Sequence, residues 1–296
     1  MKLSEKHLLE LSQVAENAAR SASAYIKSQA DSTHKTNFKS GIESLATQVV
    51  TEIDIESQRL ILEHLESSIK TFDLGLLTEE AQDDRSRLVK DYFWCIDPLD
   101  GTLPYTEQQP GYAVSIALVS RSGIPVIGVV ADPYRDTIYA AIKGKGCTLN
   151  GKALVLKPKD QDSLVCHFDR SFLDSSSYQP IIEALESILT HKGLKALNVR
   201  SGAGAVMNAL GLCDSHIGCY IKLPKANPGG GCIWDFAATS LIYSELGLHV
   251  SDAYGNVLAL NRSESPYMNQ HGVIYATDLT LGQEIVKAVS ELTKSS

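Results

Sequence analysis

The chain contains no run of eighteen apolar residues, so no transmembrane helix is expected. Its N-terminus, MKLSEKHLLELSQ, has no uninterrupted apolar core and does not read as a secretory signal peptide. None of its six cysteines (Cys95, Cys147, Cys166, Cys213, Cys219, Cys232) stands in a CxxC pair. Most lie within apolar runs and read as small buried thiols in a reducing compartment. Positive charge is in short supply: 27 Lys and Arg face 35 Asp and Glu, for a formal net charge of −8. That balance argues against a large basic face for a nucleic-acid polymer. An anionic substrate would then need bound cations, or a few local Lys and Arg, to receive it. Neither an internal repeat nor a low-complexity segment is found. These absences point to a cytoplasmic globular protein with no membrane partner.

What is present suffices for a sizeable core. Hydrophobic residues make up 44% of the 296 positions, enough for one large domain or two close-packed halves. Leu8, Leu11, Ala15, Ala18, Ala22 and Tyr25 recur at helical spacing, which predicts an amphipathic helix over 5–29. Residues 31–46 are polar and read as a loop, and 47–69 as a second helix. Short β-type runs follow at Thr71–Leu77, Tyr92–Ile96, Tyr112–Val119, Pro125–Ala131 and Thr137–Ile142, separated by turn signals. They predict an antiparallel meander packed on the two helices. Beyond residue 155 strands and helices alternate: strands at Leu164–Phe168, Ala196–Val199, Ile217–Lys222, 247–251 and 272–276. Helices are expected at 178–191, 202–212, from Trp234, and at 279–293. The organisation expected is an α+β half over 1–155 and an α/β half over 156–296, with the site between them.

Four places put carboxylates where chemistry is plausible. In WCIDPLDGT, Asp97 and Asp100 flank Pro98 after an apolar run, and Pro98 is expected to stop the strand there. Two carboxylates this close repel unless a proton or cation lies between them. An oxygen-only donor set without His or Cys favours Mg²⁺, Mn²⁺ or Ca²⁺. A plain Asp-Pro, Asp-Gly turn is the alternative. In LLTEE, Glu79 and Glu80 end another apolar run and either converge on the aspartates or begin a solvated loop. Asp235, in CIWDFAA, either caps a helix or completes a metal cluster. Asp54 shares a helix face with Val50, Ile61 and Leu65, so it is either a partly exposed edge or a buried carboxylate in need of a partner.

These pieces, in this order, resemble the inositol monophosphatase superfamily of lithium-sensitive, magnesium-dependent phosphomonoesterases. The motifs are Glu79-Glu80, then DPLDGT from Asp97 to Thr102, then Trp234-Asp235. VVTEID (Thr51, Asp54), GYAVSIALV and RSGAGAVMNAL extend the likeness from about residue 47 to the C-terminus. The resemblance implies a five-layer αβαβα sandwich of the inositol monophosphatase and fructose-1,6-bisphosphatase type, assembled as a homodimer. It implies two or three Mg²⁺ per site. Glu79, Asp97 and the Leu99 carbonyl would hold the first, and Asp97, Asp100 and Asp235 a second, with Glu80 behind them. Gly101 and Thr102 would bind phosphate, and Thr102, oriented by Asp54, would help Glu79 activate the attacking water. Ser201, Gly202 and Lys222 would meet the substrate.

Lys222, in YIKLP, stands where inositol monophosphatases carry a Glu and where bisphosphate nucleotidases carry a basic residue. It and Gln58 resemble the 3′(2′),5′-bisphosphate nucleotidase pattern, so a second phosphate is the expectation. Inositol phosphate or a sugar phosphate is the alternative, and an exposed strand-end lysine is the plain reading. Two departures stand out. The acid that relatives place just before VT is absent, since Ala46, Thr47, Gln48 and Val49 fill that stretch. LPYTEQQPG also replaces the usual residues after DPLDGT. A member that binds metal or nucleotide without turnover is the reading from another class.

Overall fold

The computed structural model describes residues 2–33, 43–156, 162–213, 217–227 and 229–294. Two long helices open the chain, α1 (Glu5–Thr33) and α2 (Glu43–Phe72). Of the loop expected over 31–46, residues 31–33 and 43–46 are therefore helix; residues 34–42 lie outside the described residues, as do the side chains of Ala46 to Val49. A seven-stranded sheet follows in chain order: β1 (Gly75–Thr78), β2 (Tyr92–Asp100), β3 (Ala113–Ser120), β4 (Pro125–Asp132), β5 (Thr137–Ile142), β6 (Cys147–Leu149) and β7 (Lys152–Ala153). A short helix, α3 (Thr102–Thr106), leaves the end of β2.

The second sheet has five strands in the order β11-β12-β10-β8-β9. They are β8 (Ser163–Phe168), β9 (Ala196–Ser201), β10 (Ile217–Lys222), β11 (His249–Ser251) and β12 (Val273–Ala276). The helices between are α4 (Tyr178–His191), α5 (Ala205–Leu210), α6 (Ile233–Glu245) and α7 (Leu279–Lys294). Three apolar clusters show how these stack. One joins α1 and α2 to the first sheet; one joins both sheets through α5 and α6; one joins the second sheet to α4 and α7. That is the expected αβαβα sandwich. The middle helix α6 is buried almost all round, from Ile233 to Tyr243, as a helix between two sheets must be.

Three expectations are corrected. The meander is antiparallel from β2 onward, but β1 pairs parallel with β2, Thr78 opposite Ile96. A strand so placed is reached by a crossover rather than a tight turn, and residues 79–91 form it. The strand expected from Thr71 is helix through Phe72, because α2 stays on the sheet for one more turn and Asp73 (φ 49°) breaks it. Pro98 does not end β2. The strand runs on to Asp100, and the register slips between Asp97 and Asp100. Proline is tolerated at such a bulge because no ladder amide is needed there.

Candidate metal centre

The parallel pairing of β1 and β2 delivers the first acids to one edge. The Glu79 amide donates to the Ile96 carbonyl at 3.2 Å, so Glu79 leaves its strand beside Asp97. Asp97 is buried, and its Oδ1 accepts the Leu99 amide at 3.0 Å, turning the chain over Pro98. The bulge then brings Asp100 to the same edge. Ligand atoms of Asp97, Asp100 and Asp235 lie within 4.8 Å of one another, and all three residues are buried. Both Glu79 and Asp235 come within hydrogen-bonding reach of Asp97.

Local chemistry fixes each acid in place. The Asp100 carboxylate accepts the amides of Ala205 (3.1 Å) and Val206 (2.9 Å), the first turn of α5. It fits there because position 204 is glycine: a Cβ on Gly204 would stand 2.2 Å from Asp100 Oδ2. Gly101 takes φ 83°, a left-handed conformation that favours glycine, and a Cβ on it would meet the Gly111 carbonyl at 2.6 Å. Asp235 occupies the first turn of α6 and its Oδ2 accepts the Cys232 amide at 2.8 Å. It is thus both a helix-start acceptor and a member of the cluster. Ser115, opposite Asp97 in the sheet, bonds the Trp234 carbonyl at 3.0 Å and ties the helix to β3.

Burial raises the Asp97 carboxyl well above the usual range, and the charges of Glu79, Asp100 and Asp235 push it further. Asp100 is raised by burial and by Asp235, against the pull of the Val206 amide and Lys222. Asp235 is raised by burial, opposed by Lys222. Desolvation of its carboxyl pushes Glu79 up to about 7 although the residue as a whole is exposed, and the Asp235 charge adds to the effect. Asp54 is buried and pushed up to about 8 by burial, then by Glu80 and Glu79. Glu80, half-buried, is raised by burial alone.

Mutual repulsion of this kind is relieved by a cation. Every donor in the cluster is a carboxylate oxygen, the set that hard divalent ions prefer. Six cysteines are present, all free and buried, and Cys232 lies beside Asp235 with its thiol raised by burial. The residues therefore fit a divalent ion of the Mg²⁺ type.

The remaining candidates divide. Thr102 starts α3, exposed, directly after Gly101. Asp54 Oδ1 has no hydrogen-bond partner, and among the described residues no hydrogen bond joins Asp54 to Thr102. Leu99 is buried at the turn. Ser201 and Gly202 lie apart from the acids, on a pocket of about 330 Å³ that Arg135, Arg170 and Arg200 also line. Lys222 is near the cluster, but it is ion-paired: its Nζ lies 2.8 Å from Asp169 Oδ2, 5.6 Å from the Phe236 ring centre and 6.0 Å from that of Tyr220. Tyr220 donates to the other Asp169 oxygen at 2.9 Å. Sequence reading missed Asp169 and the seat made by Gly204. An acid directly after β8 was the available signal for the first, and the small-residue run SGAGA for the second.

Comparison with known proteins places these features in context. The model of the inositol monophosphatase family matches residues 7–294. Inositol monophosphatase 2 of Solanum lycopersicum is 28% identical over 224 residues, covering 75% of this chain and 82% of that protein. An inositol-1-monophosphatase of Synechocystis sp. is 29% identical over 251 residues, covering 83% and 78%. Among solved structures, inositol monophosphatase II of Staphylococcus aureus superposes with a TM-score of 0.71 at 21% identity, over 94% of each chain.

Proposed function

The chain belongs to the inositol monophosphatase family, a family of phosphoric monoester hydrolases, and from that premise we propose that it hydrolyses the phosphate ester of a small metabolite at the Asp97–Asp100–Asp235 centre. The observation that carries this reading is the convergence of three buried carboxylates from β2 and α6 at one point. Asp97, Asp100, Asp235 and Glu79 would hold divalent cations, with Mg²⁺ the expected ion. Such ions, when bound, neutralise phosphoryl oxygens and make water acidic enough to attack near neutral pH.

The chain's own residues do the rest. Glu79, whose carboxyl lies within hydrogen-bonding reach of Asp97, would take the proton of the attacking water as general base. Gly101 and Thr102 offer backbone amides and a hydroxyl to the phosphate. Asp54, with an unpartnered oxygen behind the two glutamates, orients the Thr102 hydroxyl; catalytic hydrogen bonds often tighten only when substrate is bound. Relatives named inositol monophosphatase support a monophosphate ester. A 3′(2′),5′-bisphosphate as substrate needs a cation for the second phosphate, and Lys222, already paired with Asp169, is poorly placed to be that cation.

Phosphate release with Mg²⁺, from inositol phosphates, sugar phosphates and nucleoside bisphosphates, tests the reading. Release from at least one class is expected. Asp100→Asn should lower it by more than about 100-fold, since losing groups that merely support a metal ligand costs 10–100-fold. A near-wild-type rate in that variant would refute the metal assignment.

A further inference from the structure

We infer that Tyr105 is a positioning residue of this centre: its hydroxyl donates to one oxygen of Asp54 and leaves the other oxygen for the Thr102 hydroxyl. The inference rests on the hydrolase reading above, in which Asp54 orients Thr102, and it names the group that orients Asp54. Tyr105 belongs to LPYTEQQPG, the stretch after DPLDGT that departs from the usual residues.

Two buried polar atoms carry the inference. Asp54 is 8% exposed and Tyr105 5% exposed. Asp54 Oδ1 and the Tyr105 hydroxyl are both enclosed, and neither has a hydrogen-bond partner among the described residues. A buried polar group costs stability for as long as it is unmatched, and buried tyrosine hydroxyls usually find a partner. These two are complementary, since an ionised carboxylate only accepts and a phenol can donate. They are also neighbours. Burial, then Tyr112, Tyr25 and the Asp54 charge, raise the Tyr105 hydroxyl above its usual range, so it keeps its proton and stays a donor.

The backbone explains why the hydroxyl is there. Helix α3 packs on α2, which carries Asp54. The Tyr105 amide donates to the Gly101 carbonyl at 3.1 Å and closes the first turn of α3. Thr102 and Tyr105 are three positions apart, and residues so spaced are neighbours on a helix surface. One side of α3 therefore offers two hydroxyls, and Asp54 has two oxygens to receive them. The Tyr105 ring is fixed by Tyr112, which meets it edge-on at 5.2 Å and 89°. Tyr112 directly precedes Ala113, the residue paired with Asp100 across the sheet. The hydroxyl is thus held relative to the strands that carry the acids. Hydrogen bonds of this kind are often long in the free protein and tighten when substrate arrives.

A double-mutant cycle in the full chain, with Mg²⁺ and the preferred substrate, tests this. Tyr105→Phe keeps the ring and removes only the hydroxyl. It should lower kcat at least about tenfold, the scale of one hydrogen bond to a charged group, and change KM less than about twofold. In Asp54→Ala the same substitution should change kcat less than about twofold, because Tyr105 acts through Asp54. No loss in the wild-type background, a loss carried by KM alone, or equal losses in both backgrounds would overturn the inference. Should the wild type release no phosphate from any substrate, the hydrolase reading alone fails. Melting temperatures with Mg²⁺ and inorganic phosphate then decide the contact. A drop on Tyr105→Phe that disappears in Asp54→Ala upholds it; an unchanged or raised melting temperature, or equal drops in both backgrounds, removes it.

Discussion

Asp100 shows how much a single proposed ligand depends on residues that bear no chemistry. Its carboxylate is gripped by two amides of α5, more than a hundred residues away, and a missing side chain makes the grip possible. Gly204 is extended, with φ −65° and ψ 170°, a conformation open to any residue, so alanine there meets no backbone strain. The conflict is steric: the new Cβ would lie 2.2 Å from Asp100 Oδ2 and 2.7 Å from Gly101 Cα. Gly204→Ala should fold with a modest loss of stability, on the order of 1–3 kcal/mol, while phosphate release falls at least about tenfold. Melting curves and release assays at rising Mg²⁺ check this; an unchanged Mg²⁺ requirement would count against it. The acids themselves were legible, because Glu79, Asp97, Asp100 and Asp235 sit in recognisable strings. Gly204 was not, because which glycine of SGAGA touches Asp100 is decided by packing between distant segments. Asp169 escaped for the same reason: its partner Lys222 is on another strand.

Elements are where sequence reading went furthest and also where it erred. Apolar runs gave β3, β4, β5 and β10 nearly to the residue, since these strands are buried along almost their whole length, and helical spacing gave α4 and α7, each of which buries one face. The direction of β1 could not be read from such a pattern, because a four-residue buried strand looks the same parallel or antiparallel. That direction matters for the site, since the parallel pairing sets Glu79 beside Asp97. A second element-level dependence concerns α6, which carries Asp235. The helix packs on β4 at Gly128, where a Cβ would stand 2.7 Å from the Ala238 carbonyl. Gly128→Ala should therefore push α6 off the sheet and carry Asp235 from the cluster. We expect a destabilisation of about 1–3 kcal/mol together with weaker Mg²⁺ dependence of the melting temperature. A stability loss with the Mg²⁺ response intact would show that α6 repacks without moving its first turn.

At the scale of the molecule, the stacking of five layers forces like charges together. The first sheet brings Glu79, Asp97 and Asp100, and the middle helical layer brings Asp235. Folding thus works against repulsion, and pH reveals by how much. In the unfolded chain these acids ionise near their ordinary values, about 4. In the fold Glu79 rises to about 7 and Asp54 to about 8, and Asp97 and Asp100 also move upward. Between those limits the folded state keeps protons that the unfolded state has released, so stability falls as pH rises. The cost from Glu79 and Asp54 is absent below about pH 4 and nearly complete above about pH 8. With chelator present, the melting temperature should therefore decline from pH 5 to 8. Millimolar Mg²⁺ should reverse that decline, because an ion that binds only the folded state stabilises it more as the carboxylates ionise. The gain from Mg²⁺ should then grow with pH, and Asp97→Asn should flatten both trends. A chelated protein whose melting temperature rises across this range would mean that the acids are matched by charges within the fold, and the case for a metal cradle would fail with it.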